Sequence, residues 1–303
     1  MKQVGFFRAL WGCCCGTAIF DELRFNSWGR ALLHLFLLSV LCAAAITFVQ
    51  GMRLGPGIRA VADGFFDTFG GVQTGKMSLI PLTDPDRART FDFSPDGDRI
   101  FYFPSSPDGV HIPEKELLLI KFGVIWMPQK MVYLFHEPGS DSWWTVAQGR
   151  MGILKFGQYS TEELKHYLAG LKVEGRSGVE GATADVTRAE GLRMLAVMFS
   201  LVALLGNFLV VFWVAILYTS LFSLVFRFTG GGRLQTLSFS EFWKIGIYAG
   251  FPVMVFAGCF PAFDLPLFQY STVYMVGLMV YWLLIVGRIE RAGFGPEGGK
   301  SNE

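Results

Sequence analysis

The chain has 303 residues, of which 52% are hydrophobic and only 17% are charged. Soluble domains usually carry about 25% charged residues, and here the shortfall comes from long uncharged runs, which are typical of membrane proteins. The formal net charge is +1, and the basic residues form no block with interleaved aromatic residues. The composition therefore argues against nucleic acid as a partner and predicts the lipid bilayer as one.

The N-terminal segment, residues 1–30, mixes apolar and charged residues in the pattern of a short helix lying in the cytoplasmic membrane interface. Its apolar residues include Phe6, Phe7 and Trp11, and its charges include Arg8 and Glu22. Gly12 and Gly16 weaken this helix.

A cysteine cluster, Cys13 to Cys15, follows in the same segment. It lacks the paired spacing and the histidine partners of a zinc site. Free thiols in a reducing compartment are the simpler interpretation, and acylation of the cluster is the alternative. No cysteine lies between Gly51 and Leu192, so that region has no disulfide framework.

The first uncharged run, Ala31 to Val49, is long enough as a helix to span about 28 Å and predicts a transmembrane segment. Ala43 to Ala45 resemble a signal-peptide cleavage site, which leaves a cleaved leader as the alternative. The run is long for such a leader, and a structured segment precedes it.

Residues 51–192 have an ordinary charged composition and predict a folded α+β domain outside the cytoplasm. It opens with an amphipathic helical segment, in which Ile58, Val61, Phe65 and Phe69 recur at helical spacing. A capping box of Ser160 and Glu163 predicts a helix to about Leu171. The predicted strands are Met77–Leu82, Arg99–Phe103, Leu117–Met127, Met131–His136 and Arg150–Phe156, and the Gly-rich stretch Val173–Val186 predicts a linker.

Three further spans follow: Met194–Phe226, Ile245–Phe263 and Leu265–Val286. The last two are separated by Pro261, Asp264 and Pro266, which predict a tight hairpin.

The predicted fold class is thus an α-helical integral membrane protein with four transmembrane helices and an α+β extracytoplasmic domain inserted between helices 1 and 2. The predicted boundaries are 1–30 for the interfacial segment, 31–50 for helix 1, 51–192 for the domain, 193–227 for helix 2, 228–244 for a cytoplasmic loop, 245–287 for helices 3 and 4, and 288–303 for a cytoplasmic tail.

Short-loop charges predict the orientation in the membrane. Arg227, Arg233 and Lys244 lie between the second and third spans, and Arg288 and Arg291 follow the fourth, whereas the turn between the third and fourth spans has neither Lys nor Arg. We therefore expect both termini in the cytoplasm of a multi-pass protein of the inner (cytoplasmic) membrane.

Three residues within the spans are candidate packing or polar contacts. Asn207 predicts an interhelical hydrogen bond, and Gly246 and Gly250 form a Gly-x-x-x-Gly pattern that lets helix backbones approach closely. On this pattern, Gly246→Leu should damage helix assembly and Gly246→Ala should be mild.

Catalytic signatures are missing from the sequence. It contains no His-Glu-x-x-His pair, no Gly-x-Ser-x-Gly elbow and no phosphate-binding Gly-x-x-x-x-Gly-Lys-Ser/Thr loop. The loop with Asp92, Asp96 and Asp98 lacks calcium-site spacing. We therefore expect no catalytic, metal or cofactor site, although a triad assembled from scattered residues would escape such a search.

Three features resemble a group of bacterial membrane proteins of unknown function, some of which are linked by name to maltodextrin utilisation. They are the segment Phe6–Leu32, the strand-then-helix order that ends at Ser160–Leu171, and Phe239–Pro252 with Phe242, Lys244 and Tyr248. The resemblance implies the same topology and a bacterial cell-envelope setting, and it transfers no site residues.

The functional prediction is a non-enzymatic envelope protein whose extracytoplasmic domain binds or senses a ligand or partner. The alternative is an accessory subunit of a transporter, or a small permease, with Asn207 near the path. A membrane or envelope protein partner, or a homo-oligomer, is expected in either case.

Overall fold

The computed structural model describes residues 3–75, 78–94, 97–104, 110–137, 139–148, 154–171, 184–229, 237–263 and 270–292. Its helices are α1 (Phe6–Cys15), α2 (Phe20–Leu23), α3 (Trp28–Phe69), α4 (Glu114–Leu117), α5 (Thr161–Ala169), α6 (Arg188–Thr229), α7 (Phe239–Phe263) and α8 (Tyr270–Ala292). Its strands are β1 (Val72–Thr74), β2 (Leu79–Pro81), β3 (Arg89–Asp92), β4 (Arg99–Tyr102), β5 (Phe122–Met127), β6 (Lys130–His136), β7 (Trp143–Gln148), β8 (Leu154–Tyr159) and β9 (Ala184–Val186).

The chain divides into two compact units. The helical unit comprises Met1–Arg53 and Met198–Glu303, and the sheet unit comprises Leu54–Val197. Four of the described helices, α3, α6, α7 and α8, are long and apolar enough to cross a membrane, judged by length and composition. One of them precedes the sheets and three follow. Four long apolar helices beside a separate region of mixed sheets agree with the predicted fold class at this level of detail.

Helices α3 and α6 each contain 42 residues, about twice the length that a bilayer crossing needs. The sequence predicted a first span at Ala31–Val49 and a distinct amphipathic segment after it. Instead, α3 runs on through Pro56 as one helix. It therefore contributes to both units.

The core of the helical unit forms around α7. In the most apolar 18-residue stretch of α7, 72% is buried inside the protein, whereas in that of α6 only 6% is buried. Phe242, Tyr248 and Phe251 of α7 are fully buried, together with Tyr274 and Trp282 of α8. These large aromatic side chains share one core with buried residues of the N-terminal helices.

The N-terminal helix α1 is part of this core. Ala9 and Cys13 are buried, while Phe7 and Trp11 on its other side are 79% and 74% exposed. Burial raises the pKa of the Cys13 thiol. The helix ends before Gly16, in line with the weakening expected of that residue.

The main sheet of the sheet unit has the strand order β3-β4-β5-β6-β7-β8. The β4–β5 pair is parallel and the other pairs are antiparallel. Because side chains alternate along a strand, each strand supplies both faces of the sheet. The first face carries Ile125, Val132 and Trp143, which are buried in one cluster with Leu164 and Leu168 of α5. Helix α5 therefore covers the first face.

The start of α5 has the predicted capping box, which is confirmed. The Ser160 side chain accepts from the Glu163 amide, and Glu163 accepts from the Ser160 amide. The buried Trp143 donates its Nε1–H to Thr161 Oγ1 at 3.2 Å, and the amide and hydroxyl of Thr161 donate to Asp141. These two hydrogen bonds lower the pKa of Asp141. The network fixes the start of α5 against strand β7.

The second face of the sheet carries Tyr102 and Trp126, which are covered by the end of α3. Phe69 stands edge-on to Trp126 at a ring-centroid distance of 5.2 Å, and Phe65 stacks on Trp126 at 6.2 Å. The helix stops at Gly70, which has φ +72°, and a Cβ there would meet Thr83 Oγ1 at 2.0 Å. Glycine is therefore required at this turn.

Several predicted elements differ from those observed. Strands β1, β3 and β7 were not predicted, and the run Leu117–Met127 becomes a strand only from Phe122, because α4 ends at Leu117. Part of the predicted linker, Ala184–Val186, pairs with β1 as β9. Residues 172–183 of that linker lie outside the described residues, as do Asp264 and Pro266 of the predicted hairpin.

Candidate functional site

An apolar cleft of about 790 Å³ lies within the sheet unit. Its first wall is the part of α3 that belongs to this unit. Leu54, Ile58, Val61 and Phe65 recur at three- and four-residue intervals, which places them on one side of the helix, and all four line the cleft. The amphipathic spacing that predicted a helix here therefore also built a wall of the site.

The floor of the cleft is the second face of the sheet at strands β3, β4 and β5. Phe91, Ile100, Phe122 and Val124 point into it, with Phe93 just after β3. The aromatic rings contact one another: Phe93 is edge-on to Phe122 at 6.0 Å between centroids. The α3 wall touches this floor where Phe65 meets Phe91 at 6.1 Å.

A second wall comes from β9 and the first turns of α6, through Val186, Gly191, Met194 and Leu195. Gly191 lies where α6 meets α3, since a Cβ on it would come within 2.2 Å of the Phe66 ring. A larger residue at position 191 would have to displace the Phe66 ring or the helices themselves.

Ion pairs join the two helical walls. Arg188 at the start of α6 contacts Asp63 at 2.7 Å and Asp67 at 2.9 Å, and both carboxylates belong to α3. Arg59 is a further neighbour of Asp63 at 3.8 Å. These groups are largely exposed, and exposed pairs contribute little stability. The ion pairs therefore mark a contact between α3 and α6 and are not its main source of stability.

All sixteen lining residues are apolar or glycine: Leu54, Gly57, Ile58, Val61, Ala62, Phe65, Phe66, Phe91, Phe93, Ile100, Phe122, Val124, Val186, Gly191, Met194 and Leu195. None of these side chains is titratable or donates a hydrogen bond, and the thioether sulfur of Met194 is at most a weak acceptor. The cleft can bury apolar surface, and its lining offers no group for acid–base or nucleophilic chemistry. Among the residues that the structure describes, no group of three or more His, Cys, Asp or Glu could hold a metal ion.

The three sequence-predicted contact residues lie in the helical unit, and none lines the cleft. Asn207 donates to Thr47 Oγ1 at 3.0 Å and to Gln50 Oε1 at 2.9 Å, which links α6 to α3. A Cβ on Gly250 would meet the Tyr274 hydroxyl at 2.2 Å, so α7 and α8 approach closely at this glycine.

Four polar residues of the helical unit form a buried network that the sequence did not predict. Asn26 donates to the Tyr248 hydroxyl at 2.8 Å, and that hydroxyl lies 3.1 Å from His34 Nδ1. The Lys244 ammonium donates to the carbonyl oxygens of Asn26, at 3.0 Å, and of Arg24. These groups are buried but bonded to one another, as buried polar groups need to be.

Comparison of the chain with protein-family models, with curated proteins and with solved structures finds no match. The resemblance to the bacterial membrane-protein group therefore stays a prediction.

The sequence signal for the cleft was incomplete. The α3 spacing was visible, and Phe91, Phe93 and Phe122 stand out as aromatic residues close to strand ends. Their common position depends on the pairing of β3, β4 and β5, and the parallel β4–β5 pair has no hairpin to reveal it.

Gly246→Ala tests the close packing of the helical unit. An added Cβ would lie 2.9 Å from Ser223 Oγ, 2.9 Å from Thr219 Cγ2 and 3.0 Å from Trp282 Cζ2. The expectation that Ala is mild does not fit this geometry, because overpacking of this kind costs about 1–3 kcal/mol. We expect a lower unfolding temperature of the full chain in detergent.

Gly206→Ala is the matched control, because a Cβ on this α6 glycine meets nothing within 4 Å. It should leave the unfolding temperature unchanged or raise it, since alanine favours the helix. Equal unfolding temperatures for the two variants would contradict the packing at Gly246.

Proposed function

We propose that this chain is a non-enzymatic membrane protein of a bacterial cell envelope, whose sheet unit binds a hydrophobic ligand in the apolar cleft. The four long helices anchor it in the inner membrane. The proposal needs no cofactor, metal or nucleic acid.

The cleft is the observation that carries this proposal. Ligand pockets are usually concavities of about 300–1,000 Å³ with mostly apolar walls and a few polar groups that orient the ligand. This cleft has the size, about 790 Å³, and walls that are apolar throughout. Affinity would come from removing apolar surface from water, at about 25 cal/mol per Å² before the costs of association.

The exposed surface of α6 supports the membrane setting. Large apolar side chains cover it, including Leu201, Leu205, Trp213 and Leu217, each 57% to 62% exposed. A continuous apolar surface of this kind is rare on proteins in water and is ordinary against lipid or a membrane partner. A homo-oligomer or a second envelope protein could occupy part of the same surface.

Contacts inside the helical unit support the predicted orientation. Arg288 near the end of α8 pairs with Asp21 at 2.9 Å, and Lys244 of α7 bonds to the backbone at Arg24 and Asn26. The N-terminal segment and the basic ends of α7 and α8 therefore share one side. Under the positive-inside rule that side is cytoplasmic, and residues 51–192 lie outside.

The alternative, a transporter subunit or small permease, has less support. A transport path usually needs inward ionisable residues or broken helices near the middle of the membrane. Here two polar side chains within the long helices, Asn207 and His34, are bonded to neighbours on other helices.

Thiol labelling tests the orientation. In a chain whose native cysteines are replaced by serine, Leu119→Cys introduces a thiol at an exposed position of the sheet unit, and Gly5→Cys introduces one in the N-terminal segment. An impermeant maleimide should label Leu119→Cys in intact cells and Gly5→Cys only after permeabilisation. The reverse pattern would show that the orientation is inverted.

Protection of a cleft thiol tests ligand binding. In the same cysteine-free chain, Val124→Cys places a thiol on the cleft floor, and Leu119→Cys again serves as a control outside it. Neutral N-phenylnaphthylamine should slow maleimide alkylation of Val124→Cys and leave that of Leu119→Cys unchanged.

A pair of glycine variants provides the specificity control. Gly57 lines the cleft, Gly51 does not, and a Cβ on either meets nothing within 4 Å. Gly57→Phe should fill the cleft and weaken protection by roughly tenfold in probe affinity, a loss of about 1.4 kcal/mol. Gly51→Phe should not. If N-phenylnaphthylamine protects neither thiol, or both equally, the cleft is not a binding site.

A further inference from the structure

We infer that the natural occupant of the cleft is an acyl chain of a membrane phospholipid, which enters from the bilayer beside the helices. The inference rests on the proposed function and names the ligand class for the same site.

The chemistry of the lining selects hydrocarbon. A ligand with buried hydroxyl, amide or charged groups would lose its hydrogen bonds to water, and the sixteen lining residues offer no side-chain partner in return. A saturated or unsaturated hydrocarbon chain loses nothing of this kind. The polar part of the ligand must then stay outside the cleft.

The positions of the two helical walls in the sequence identify the source. Leu54 comes five residues after Val49, the last residue of the first predicted span, and α3 is helical throughout this stretch. At 1.5 Å per residue the separation along the helix is about 8 Å. On the other wall, Met194 is the first residue of the uncharged run Met194–Phe226.

Both helical walls therefore pass from the cleft directly into segments apolar enough for a bilayer. The nearest apolar phase is the hydrocarbon of the membrane itself. Continuity along α3 and α6 therefore favours a lipid of the adjoining membrane over a hydrophobic molecule dissolved in water.

Arg59 is the candidate contact for the lipid headgroup. Arg59 directly follows the lining residue Ile58, and its side chain is 75% exposed. Its contact with Asp63, at 3.8 Å, is long for an ion pair and leaves the guanidinium open to other acceptors. A phosphodiester outside the cleft is an acceptor that suits it.

Photo-crosslinking in cells tests the inference on the full chain. The photoreactive residue p-benzoylphenylalanine replaces Val61 in the cleft wall, Leu119 on the exposed surface of the sheet unit, or Leu209 on the exposed apolar side of α6. After irradiation, digestion and mass spectrometry identify any adduct by its mass. We expect phospholipid adducts at positions 61 and 209 and none at position 119.

The glycine pair separates cleft occupancy from general contact with the bilayer. Gly57→Phe should reduce the adduct at position 61 by roughly tenfold, if it weakens occupancy as expected for a filled cleft. The adduct at position 209 should not change. Gly51→Phe should leave both adducts as they are.

The remaining outcomes each overturn part of the account. Free fatty acid at position 61, without phospholipid, would show the same chain chemistry from another source and contradict lateral entry. A peptide adduct would show that a protein segment occupies the cleft. No adduct at position 61, while N-phenylnaphthylamine still protects Val124→Cys, would refute the lipid and leave the proposed function standing. If there is no adduct at position 61 and N-phenylnaphthylamine does not protect Val124→Cys, both the lipid inference and the proposed function are refuted.

Discussion

The structure of the sheet unit depends on one constraint: its six-stranded sheet is apolar on both faces, so each face needs a cover. Helix α5 supplies the first, through Leu164 and Leu168. The end of α3 supplies the second, through Phe65 and Phe69, but a single helix is narrower than six strands. Beside it, Phe91, Ile100, Phe122 and Val124 of β3, β4 and β5 are only half-buried, and they form the floor of the cleft.

This constraint also explains the unusual helices. A bilayer crossing needs about 20 residues, yet α3 and α6 have 42 each. The additional turns are the walls of the cleft, and Arg188 of α6 contacts Asp63 and Asp67 of α3 between them. Each of these helices thus contains one stretch that is apolar enough to cross a membrane and another that lines the cleft. The proposed function of the unit depends on the apolar shape of this cleft.

Short-range sequence patterns allowed part of the fold to be predicted. The helical spacing of Ile58, Val61 and Phe65 and the capping box at Ser160 are short-range patterns, and the structure contains both helices. A second capping box, in which Ser238 and Glu241 bond reciprocally at the start of α7, was equally readable and was overlooked. Strand β7 was missed because Trp143 and Trp144 interrupt the apolar–polar alternation, and its second face is only partly covered.

The site itself required long-range information. Met194 and Phe93 line the same cleft although about a hundred residues separate them, and no local pattern connects them. Likewise, the partners of Asn207 depend on the rotation of two long helices, which hydropathy does not determine. The Gly-x-x-x-Gly pattern indicated close packing at Gly246 and Gly250 but not the side chains that they meet.

The central claim, that the cleft holds a lipid chain, is tested most directly by an electron cryomicroscopy map of the full chain in phospholipid nanodiscs. The account predicts elongated, tube-like density between α3 and the sheet, in contact with Val61 and Val124 and continuous with the lipid layer. A map in which the walls meet and the protein's own side chains fill the cleft would contradict it.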